Sequence, residues 1–341
     1  MPRTLLIGDI HGCYHELQDL LERAALSADD RVIALGDIVD RGHESPAVVD
    51  FFRQRWDASE YNARSLLGNH ERKHLRSARG EIKAALSQQI ARKQLGPAYP
   101  AALSLFETLP PYLELPQAIL VHGYLEPGIP LAQQRITVIT GARSGEAYLT
   151  SRYPVRWYEL YQGDKPVIFG HDDILGNGQP FVYQDRAIGL DTSCVLGKHL
   201  TGLLLPEFQF VSVPAAGNHW FVVRQAHAPA QTKNNRSAPS DNHYDLPWAE
   251  EWEDLLDQLL EYVRQEKDHV LAELNSQASY SELSPRRQAL EFASRVHGSP
   301  AQVLLQLARR GELARPAARR FLRDEHALQA LVQTLGLTPY N

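Results

Sequence analysis

The sequence predicts an α/β fold, a layered domain built on a mixed pair of sheets and followed by an all-helical C-terminal module. Three observations carry that expectation. Short apolar runs recur through the first two thirds of the chain, each ending in glycine or in a residue type able to bind a metal or a phosphate. The stretch between the first two runs has the spacing of a helix. A composition break at residues 225–247 then separates this region from a tail in which only helical spacing survives.

The runs are LLIG near Leu5, VIALG at 32–36, SLLG at 65–68, AILVHG at 118–123 and PVIFGH at 166–171. Each is read as a buried strand that delivers a loop at its C-terminal end. Between the first two, Leu17, Leu20, Leu21 and Ala24 recur at helical spacing within 14–26, so a strand-helix-strand unit is expected. Later runs at 187–190, 201–205 and 209–213 read as strands with no helix between them. Residues 225–247, rich in Ala, Pro, Ser and Asn, read as a linker or a long surface loop.

Beyond the linker, Pro247 suits a first helical turn and Glu250, Glu251, Glu253 and Asp254 suit the positive end of a helix dipole. Trp252, Leu255, Leu256, Leu259 and Val263 share one face, which must be buried on the other helices, on the preceding domain or on a second copy of the chain. Three more helices are expected, from Ser284-Pro285 to Gly298, from Ser299-Pro300 to Gly311 and from Pro316 to Gly336. Residues 248–283 carry a net charge of −8 and residues 284–341 a net +5. Mutual neutralisation within a bundle is the expected reason, with a basic docking face for a partner as the alternative. The expected division is therefore a domain at 1–224, a linker at 225–247 and a helical module at 248–341.

Length and composition bound the function. A chain of 341 residues accommodates two domains, or one domain with an appendage. Its net charge of −6 argues against a nucleic-acid backbone or an anionic membrane as main partner. Cys13 and Cys194 are too few for a disulfide framework, and Cys13 reads as a small buried residue rather than a nucleophile. With no apolar run near the ~18 residues of a membrane span and no signal-peptide pattern at the N-terminus, a cytoplasmic setting is expected.

Five motifs fall at the ends of the expected strands: Gly8-Asp9-Ile10-His11-Gly12, Gly36-Asp37-Ile38-Val39-Asp40-Arg41-Gly42, Gly68-Asn69-His70-Glu71, His122-Gly123 and Gly170-His171. One Asp or His at a strand end usually forms a turn or satisfies a hydrogen bond. Five such sites in one chain reverse that reading. The oxygen and imidazole donors Asp9, His11, Asp37, Asn69, His122 and His171 suit Mn²⁺, Fe or Zn²⁺ better than Ca²⁺. Scattered histidines such as His219, His227 and His326 read as ordinary packing or surface residues.

In that order and spacing the motifs resemble the phosphoprotein phosphatase family of calcineurin-like metallophosphoesterases, over roughly residues 1–215. The stretch 188–207 is most similar to the bacterial branch with symmetrical diadenosine tetraphosphatases, small serine/threonine phosphatases and RNA-repair phosphatase domains. The resemblance implies a β-sandwich flanked by helices and two divalent metals, Mn²⁺ first among the candidates. It implies that Asp9, His11 and Asp37 hold one metal and that Asp37, Asn69, His122 and His171 hold the other, with Asp37 shared. Two cations about 3.5 to 4 Å apart would clamp the attacking and leaving oxygens of a phosphoryl transfer. His70 matches the family's general acid, Asp40 the residue that orients it, and Arg41 a phosphate-binding arginine. Asn69 matches a position that touches substrate as well as metal, and Arg156 a second phosphate-binding arginine, with Arg135, Arg143 and Arg152 as rivals.

Two positions depart from that branch: Gly170-His171 is followed by Asp172-Asp173 rather than Thr-Pro, and Asp191-Thr192 by Ser193 rather than Gly. Two carboxylates beside a ligand histidine either stay solvated in the loop or repel a highly anionic substrate. The expected activity is metal-dependent hydrolysis of phosphomonoesters such as phosphoserine and phosphothreonine. The alternatives are symmetrical bis(5'-nucleosyl)-tetraphosphate hydrolysis and, from another class, an inactive phosphatase fold that serves as a binding module.

Overall fold

The computed structural model describes residues 2–55, 62–227, 250–277, 279–322 and 325–337. The chain falls into two units that do not follow sequence order: Met1–Ala142 with Tyr161–Ala238, and Arg143–Leu160 with Pro239–Asn341. The sequence-based division at 224 assigns 143–160 to the first part, whereas these residues group with the C-terminal helices.

In the first unit, β1 (Thr4–Ile7), β2 (Arg31–Ala34) and β3 (Asn62–Ser65) pair in parallel, with α1 (Tyr14–Ala24) and α2 (Ser45–Arg55) as crossovers. After β3 come α3 (Asn69–Ala78), α4 (Leu86–Leu95) and α5 (Tyr99–Thr108), then β4 (Tyr112–Glu114), β5 (Ile119–Val121) and the single turn α6 (Ile136–Ile139). The chain leaves this unit through α7 (Arg143–Arg152) and α8 (Trp157–Leu160). It returns with β6 (Val167–Phe169), β7 (Phe181–Tyr183), β8 (Ala187–Gly189), β9 (His199–Leu205), β10 (Gln209–Pro214) and α9 (His219–Ala226).

The strands make two five-stranded sheets, ordered β10-β9-β1-β2-β3 and β4-β5-β6-β8-β7. Period-2 alternation explains why both faces of the first sheet are apolar. Leu6, Ile33 and Leu203 point to one side, where they share a core with Leu120, Ile168 and Ile188 of the second sheet. Leu5, Ile7, Val32, Ala34 and Leu204 point to the other, where Leu17 and Leu20 of α1, Phe52 of α2 and Phe106 of α5 cover them. The result is a sandwich of two mixed sheets with helices packed on it.

The third strand lies upstream of its expected place at 65–68. Its residues alternate polar and small, Asn62-Ala63-Arg64-Ser65, because β3 is the sheet edge and has Arg64 exposed. Leu66 prolongs the pairing by one bond, its N–H reaching the Ala34 carbonyl at 2.9 Å. The edge strands β4 and β7 are three residues long and carry no buried residue, and neither is among the strands expected from the sequence.

In the second unit, α10 (Glu250–Asn275) packs against α11 (Pro285–Arg295), α12 (Gln302–Arg309), α13 (Arg315–Leu322) and α14 (Glu325–Thr334). Leu255, Leu256, Leu259 and Val263 are all buried in this bundle's core with Phe292, Leu304 and Leu328. The expected face of the first C-terminal helix is thus covered by the other helices. Arg315 pairs with Asp257 and Arg295 with Glu273, linking the acidic helix to the basic ones. Ser284 caps α11 through its Oγ, which accepts the Arg287 N–H. Of the helix expected from Pro316 to Gly336, α13 and α14 are described, and 323–324 between them lie outside the described residues. Of the expected linker, 225 and 226 end α9, while 228–247, Pro247 and the Trp252 and His326 side chains lie outside the described residues. Among the described residues no helix is long and apolar enough to cross a membrane.

Candidate active site

Every expected ligand follows the C-terminal end of a strand, where ligands bind in parallel α/β sheets. Asp9 and His11 follow β1, Asp37 follows β2, Asn69 opens α3 after β3, His122 follows β5 and His171 follows β6. His11, Asp37, Asp40, Arg41 and His171 all have positive φ, between 47° and 77°. Such backbone is costly for non-glycine residues and persists where the surroundings enforce it, a pattern typical of functional sites. Gly36 and Gly68 provide the space: a Cβ on Gly68 would lie 2.5 Å from the Asp37 nitrogen, and one on Gly36 2.8 Å from His122 Nδ1.

Two clusters of donor atoms share Asp37. One joins His11, Asp37 and His70; the other joins Asp37, His122 and His171, and within each the atoms lie within 4.8 Å of one another. Asp9 borders the first, with Oδ2 3.9 Å from His11 Nε2. Asn69 borders the second, with Oδ1 3.1 Å from His122 Nε2.

The imidazoles are oriented from behind. His11 Nδ1 donates to the Val39 carbonyl at 2.9 Å and His122 Nδ1 to the Leu35 carbonyl at 2.9 Å. In both rings that turns Nε2 towards the cluster, the orientation found in metal-binding histidines. The Asn69 amide atom placed as oxygen faces only acceptors, the Asp37 oxygens at 2.9 and 3.2 Å and His122 Nε2. Carboxylate, amide and imidazole groups gathered this closely are donor types that suit a divalent cation. The carboxylates make the site attractive to positive charge. Burial would lower the His122 imidazole, but Asp37 and Asp9 overcome it and take it up to about 10. Burial, with Asp191 close by, pushes the Asp9 carboxyl well up. These residues therefore fit a pair of divalent cations held by oxygen and imidazole donors.

His70 stands against the first cluster. Its Nδ1 donates to Asp40 Oδ2 at 2.6 Å, while the buried Nε2 has no hydrogen-bond partner among the described residues and lies 3.9 Å from Asp37 Oδ2. Burial, helped by Lys73 and Arg41, holds the His70 imidazole down to about 4 against the pull of Asp37 and Asp40. Arg41 reaches the same place, its Nη1 donating to His11 Nε2 at 3.0 Å. Arg156 stands in the second unit, where its guanidinium forks onto Glu312 with bonds of 3.2 and 2.9 Å. Of its rivals, Arg143 and Arg152 bound α7 in that same unit, and Arg135 lies 3.4 Å from Glu126 in the first.

The two aspartates after His171 have separate surroundings. Asp173 is 8% exposed, pairs with Lys198 Nζ at 2.8 Å and accepts the N–H groups of Gly176 and Gly178, so it organises its own loop. Asp172 is half-buried. Asp191 lies near Asp9, and burial pushes it up to about 6.

Three residues of the site have a role that the sequence did not disclose. Glu71 accepts the N–H groups of Asp37, Ile38, Val39 and Gly68 at 2.9 to 3.3 Å, buckling the turn after β2 to the start of α3. Its spacing from Gly68 is that of a capping box, the signal that could have found it. His74 and Gln88 both donate to Asp40, at 2.8 and 2.7 Å. His74 stands one helical turn after His70, a spacing that puts the two on one face of α3.

A third cluster, Cys13, Glu16 and Cys194, is buried in the helical layer of the core. Its carboxylate is already engaged by His219 Nε2 at 2.6 Å and by the Ala216 N–H at 3.0 Å. Contact with Cys194, together with burial, pushes the Cys13 thiol up, so it stays protonated as a packed core residue.

The sequence profile described as calcineurin-like phosphoesterase matches residues 2–190. The asymmetrical bis(5'-nucleosyl)-tetraphosphatase PrpE of Bacillus subtilis strain 168 is 29% identical over 236 residues, covering 62% of this chain and 94% of the relative. The protein of that name from Oceanobacillus iheyensis is 30% identical over 233 residues, covering 61% and 90%. A crystal structure of a candidate diadenosine tetraphosphatase superposes with a TM-score of 0.51 at 27% identity, covering 63% of this chain and 96% of that one.

Proposed function

Because the chain belongs to the calcineurin-like phosphoesterase family, a family of metal-dependent phosphohydrolases, we propose that it hydrolyses a phosphoanhydride of dinucleoside tetraphosphates through the cluster around Asp37. The observation that carries the reading is the sharing of Asp37 by two donor clusters with the buried His70 Nε2 turned towards it. Relatives that align over nearly their whole length and carry a tetraphosphatase name support this substrate class.

Asp9, His11 and Asp37 would hold one divalent cation and Asp37, Asn69, His122 and His171 a second, Mn²⁺ being our first candidate. Bound there, the cations would supply an acidified water and neutralise the charge that develops during phosphoryl transfer. The protein's own groups account for the rest. Arg41 offers a planar guanidinium fork to the non-bridging oxygens of the reacting phosphate, taking it from His11. His70 is positioned to give a proton from Nε2 to the leaving oxygen while Nδ1 stays on Asp40. An anionic phosphate beside that ring favours its protonated form, offsetting the burial that holds the free site down.

A second reading, hydrolysis of phosphoserine or phosphothreonine, draws on this same dyad. An alkoxide leaving group needs a proton far more than a leaving nucleotide phosphate does, so a dedicated buried acid suits a phosphomonoester. The Glu312 pairing of Arg156 makes it a weaker candidate for substrate than Arg41.

The test is an assay of the full chain after exhaustive chelation and again after Mn²⁺ reconstitution, against diadenosine tetraphosphate, a phosphoserine peptide and p-nitrophenyl phosphate. We expect activity to vanish and return, with diadenosine tetraphosphate the best substrate and ATP plus AMP its products. Two ADP would indicate symmetrical cleavage, and preference for the peptide would select the second reading. Hydrolysis by protein shown to be metal-free would overturn the two-metal reading.

A further inference from the structure

Asp40 is fully buried, and its carboxylate is fixed from both sides. Oδ2 accepts His70 Nδ1–H at 2.6 Å and the Gln88 side-chain N–H at 2.7 Å. Oδ1 accepts His74 Nε2–H at 2.8 Å and has no other donor among the described residues. The proton positions follow from the chemistry of the acceptor. Burial raises the Asp40 carboxyl, but His74 and His70 bring it well below its usual range, so it is ionised and can only accept. Both imidazole nitrogens that face it therefore carry hydrogen. On the other side of the His74 ring the Tyr99 hydroxyl stands 3.2 Å from Nδ1. One hydrogen-bonded chain results: Tyr99 hydroxyl with His74, His74 N–H to Asp40, and Asp40 accepting His70 N–H on its other oxygen.

His74 is wholly buried and lies behind Asp40. We propose that His74 is a positioning residue: by holding Asp40 Oδ1 it fixes the plane of the carboxylate, and through it the tautomer and aim of His70. The Asp40 backbone, at φ 77°, does not hold that plane by itself, because rotation about the Cβ–Cγ bond is independent of φ. Gln88 holds only the oxygen already bonded to His70. The inference rests on the phosphohydrolase reading for its consequence in catalysis, but the hydrogen-bond chain can be tested without substrate.

The kinetic arm compares His74→Leu, which removes the donor, with His74→Gln, whose side-chain N–H can reach Asp40, on a series of phenyl phosphates with leaving groups from nitrophenol to phenol. A misaimed general acid matters more as the leaving group becomes more basic. Expected for His74→Leu are a kcat loss of about tenfold on phenyl phosphate, a loss below about threefold on p-nitrophenyl phosphate, and unchanged KM and metal content. His74→Gln should return kcat on phenyl phosphate to within about threefold of wild type. A residue with a purely structural role would lower all substrates alike, and an equal loss across the series overturns the proposal.

The spectroscopic arm uses the metal-free full chain. The short His70 Nδ1–H bond to a carboxylate gives a far-downfield proton resonance, which should persist in His74→Gln and broaden or move in His74→Leu. An untouched resonance in His74→Leu also overturns the proposal. This arm remains decisive if the wild-type protein hydrolyses none of the esters, an outcome that would count against the functional reading alone. Should His74→Leu fail to fold, Tyr99→Phe removes the hydroxyl at Nδ1 and should give a smaller loss with the same dependence on leaving group. No dependence in that variant counts against the chain.

Discussion

Glu16 is a charge with almost no access to solvent, its side chain 3% exposed. Burial pushes its carboxyl up, but His219 and the Ala216 N–H outweigh that and bring it to about 2 from an ordinary 4.5. A folded-state value below the unfolded one means that the stabilisation is complete above about pH 4.5 and is lost as the pH falls towards 2. Glu16→Gln should therefore cost on the order of 2 kcal/mol near neutrality and progressively less below pH 4.5, as read by urea unfolding at several pH values. At the catalytic centre, His70→Asn should reduce kcat on the order of 10²–10⁴-fold for phosphoserine and far less for p-nitrophenyl phosphate; equal losses with intact metal content would remove His70 from the acid's role. The residues that converge on Asp37 were legible because each is a chemically distinctive type set at a strand end. Glu71, His74 and Gln88 were not, because they act on the backbone and on Asp40. A buried glutamate and a histidine inside a helix look like ordinary polar positions until the chain is folded.

At the scale of elements, strand ends and helix starts build the site in pairs. Glu71 near the start of α3 takes up the N–H groups of residues 37–39, so β2 and α3 are fastened across the cluster and not merely packed. Gly68, which precedes α3, is the point of closest approach. Gly68→Ala would place a methyl group 2.5 Å from the Asp37 nitrogen and 2.7 Å from Glu71 Oε2. Expected are a folded protein and a loss of metal affinity of at least tenfold, on the order of 10–100-fold, measured by titrating the metal-free variant calorimetrically. Wild-type affinity would mean that the β2 turn can yield. Central strands such as β1, β2 and β6 were readable because both faces are buried, which makes the apolar run continuous. The edges β3, β4 and β7 were hidden, since an edge strand needs neither a long run nor a buried alternation.

At the scale of the whole molecule, the second unit is discontinuous in sequence. The helices α7 and α8 precede β6, yet α7 packs against α12 and α13, and Arg156 of the α8 segment pairs with Glu312. Sequence reading saw the C-terminal helices as a separate module because the break at 225–247 is conspicuous, while nothing in 143–160 shows which of two cores it serves. A chain ending near Arg224 keeps all the candidate ligands but strands α7 without α12 and α13. It should aggregate or lose solubility, and a chain that also lacks 143–160, bridged by a short glycine linker, should recover it; equal solubility of the two would show that α7 does not need its partners. The same discontinuity sets an order of events during translation. β9 and β10 leave the ribosome before any C-terminal helix, so the sheets can close first. α7 must then wait some 150 residues, from Arg152 to Gln302 at the start of α12, on the order of seven to thirty seconds at about 5–20 residues per second. Through that interval Leu149 of α7 and Trp157 of α8, both buried in the finished protein, wait for a bundle not yet synthesised. The stretch 143–160 is thus the part of the newborn chain with most to gain from a holding chaperone.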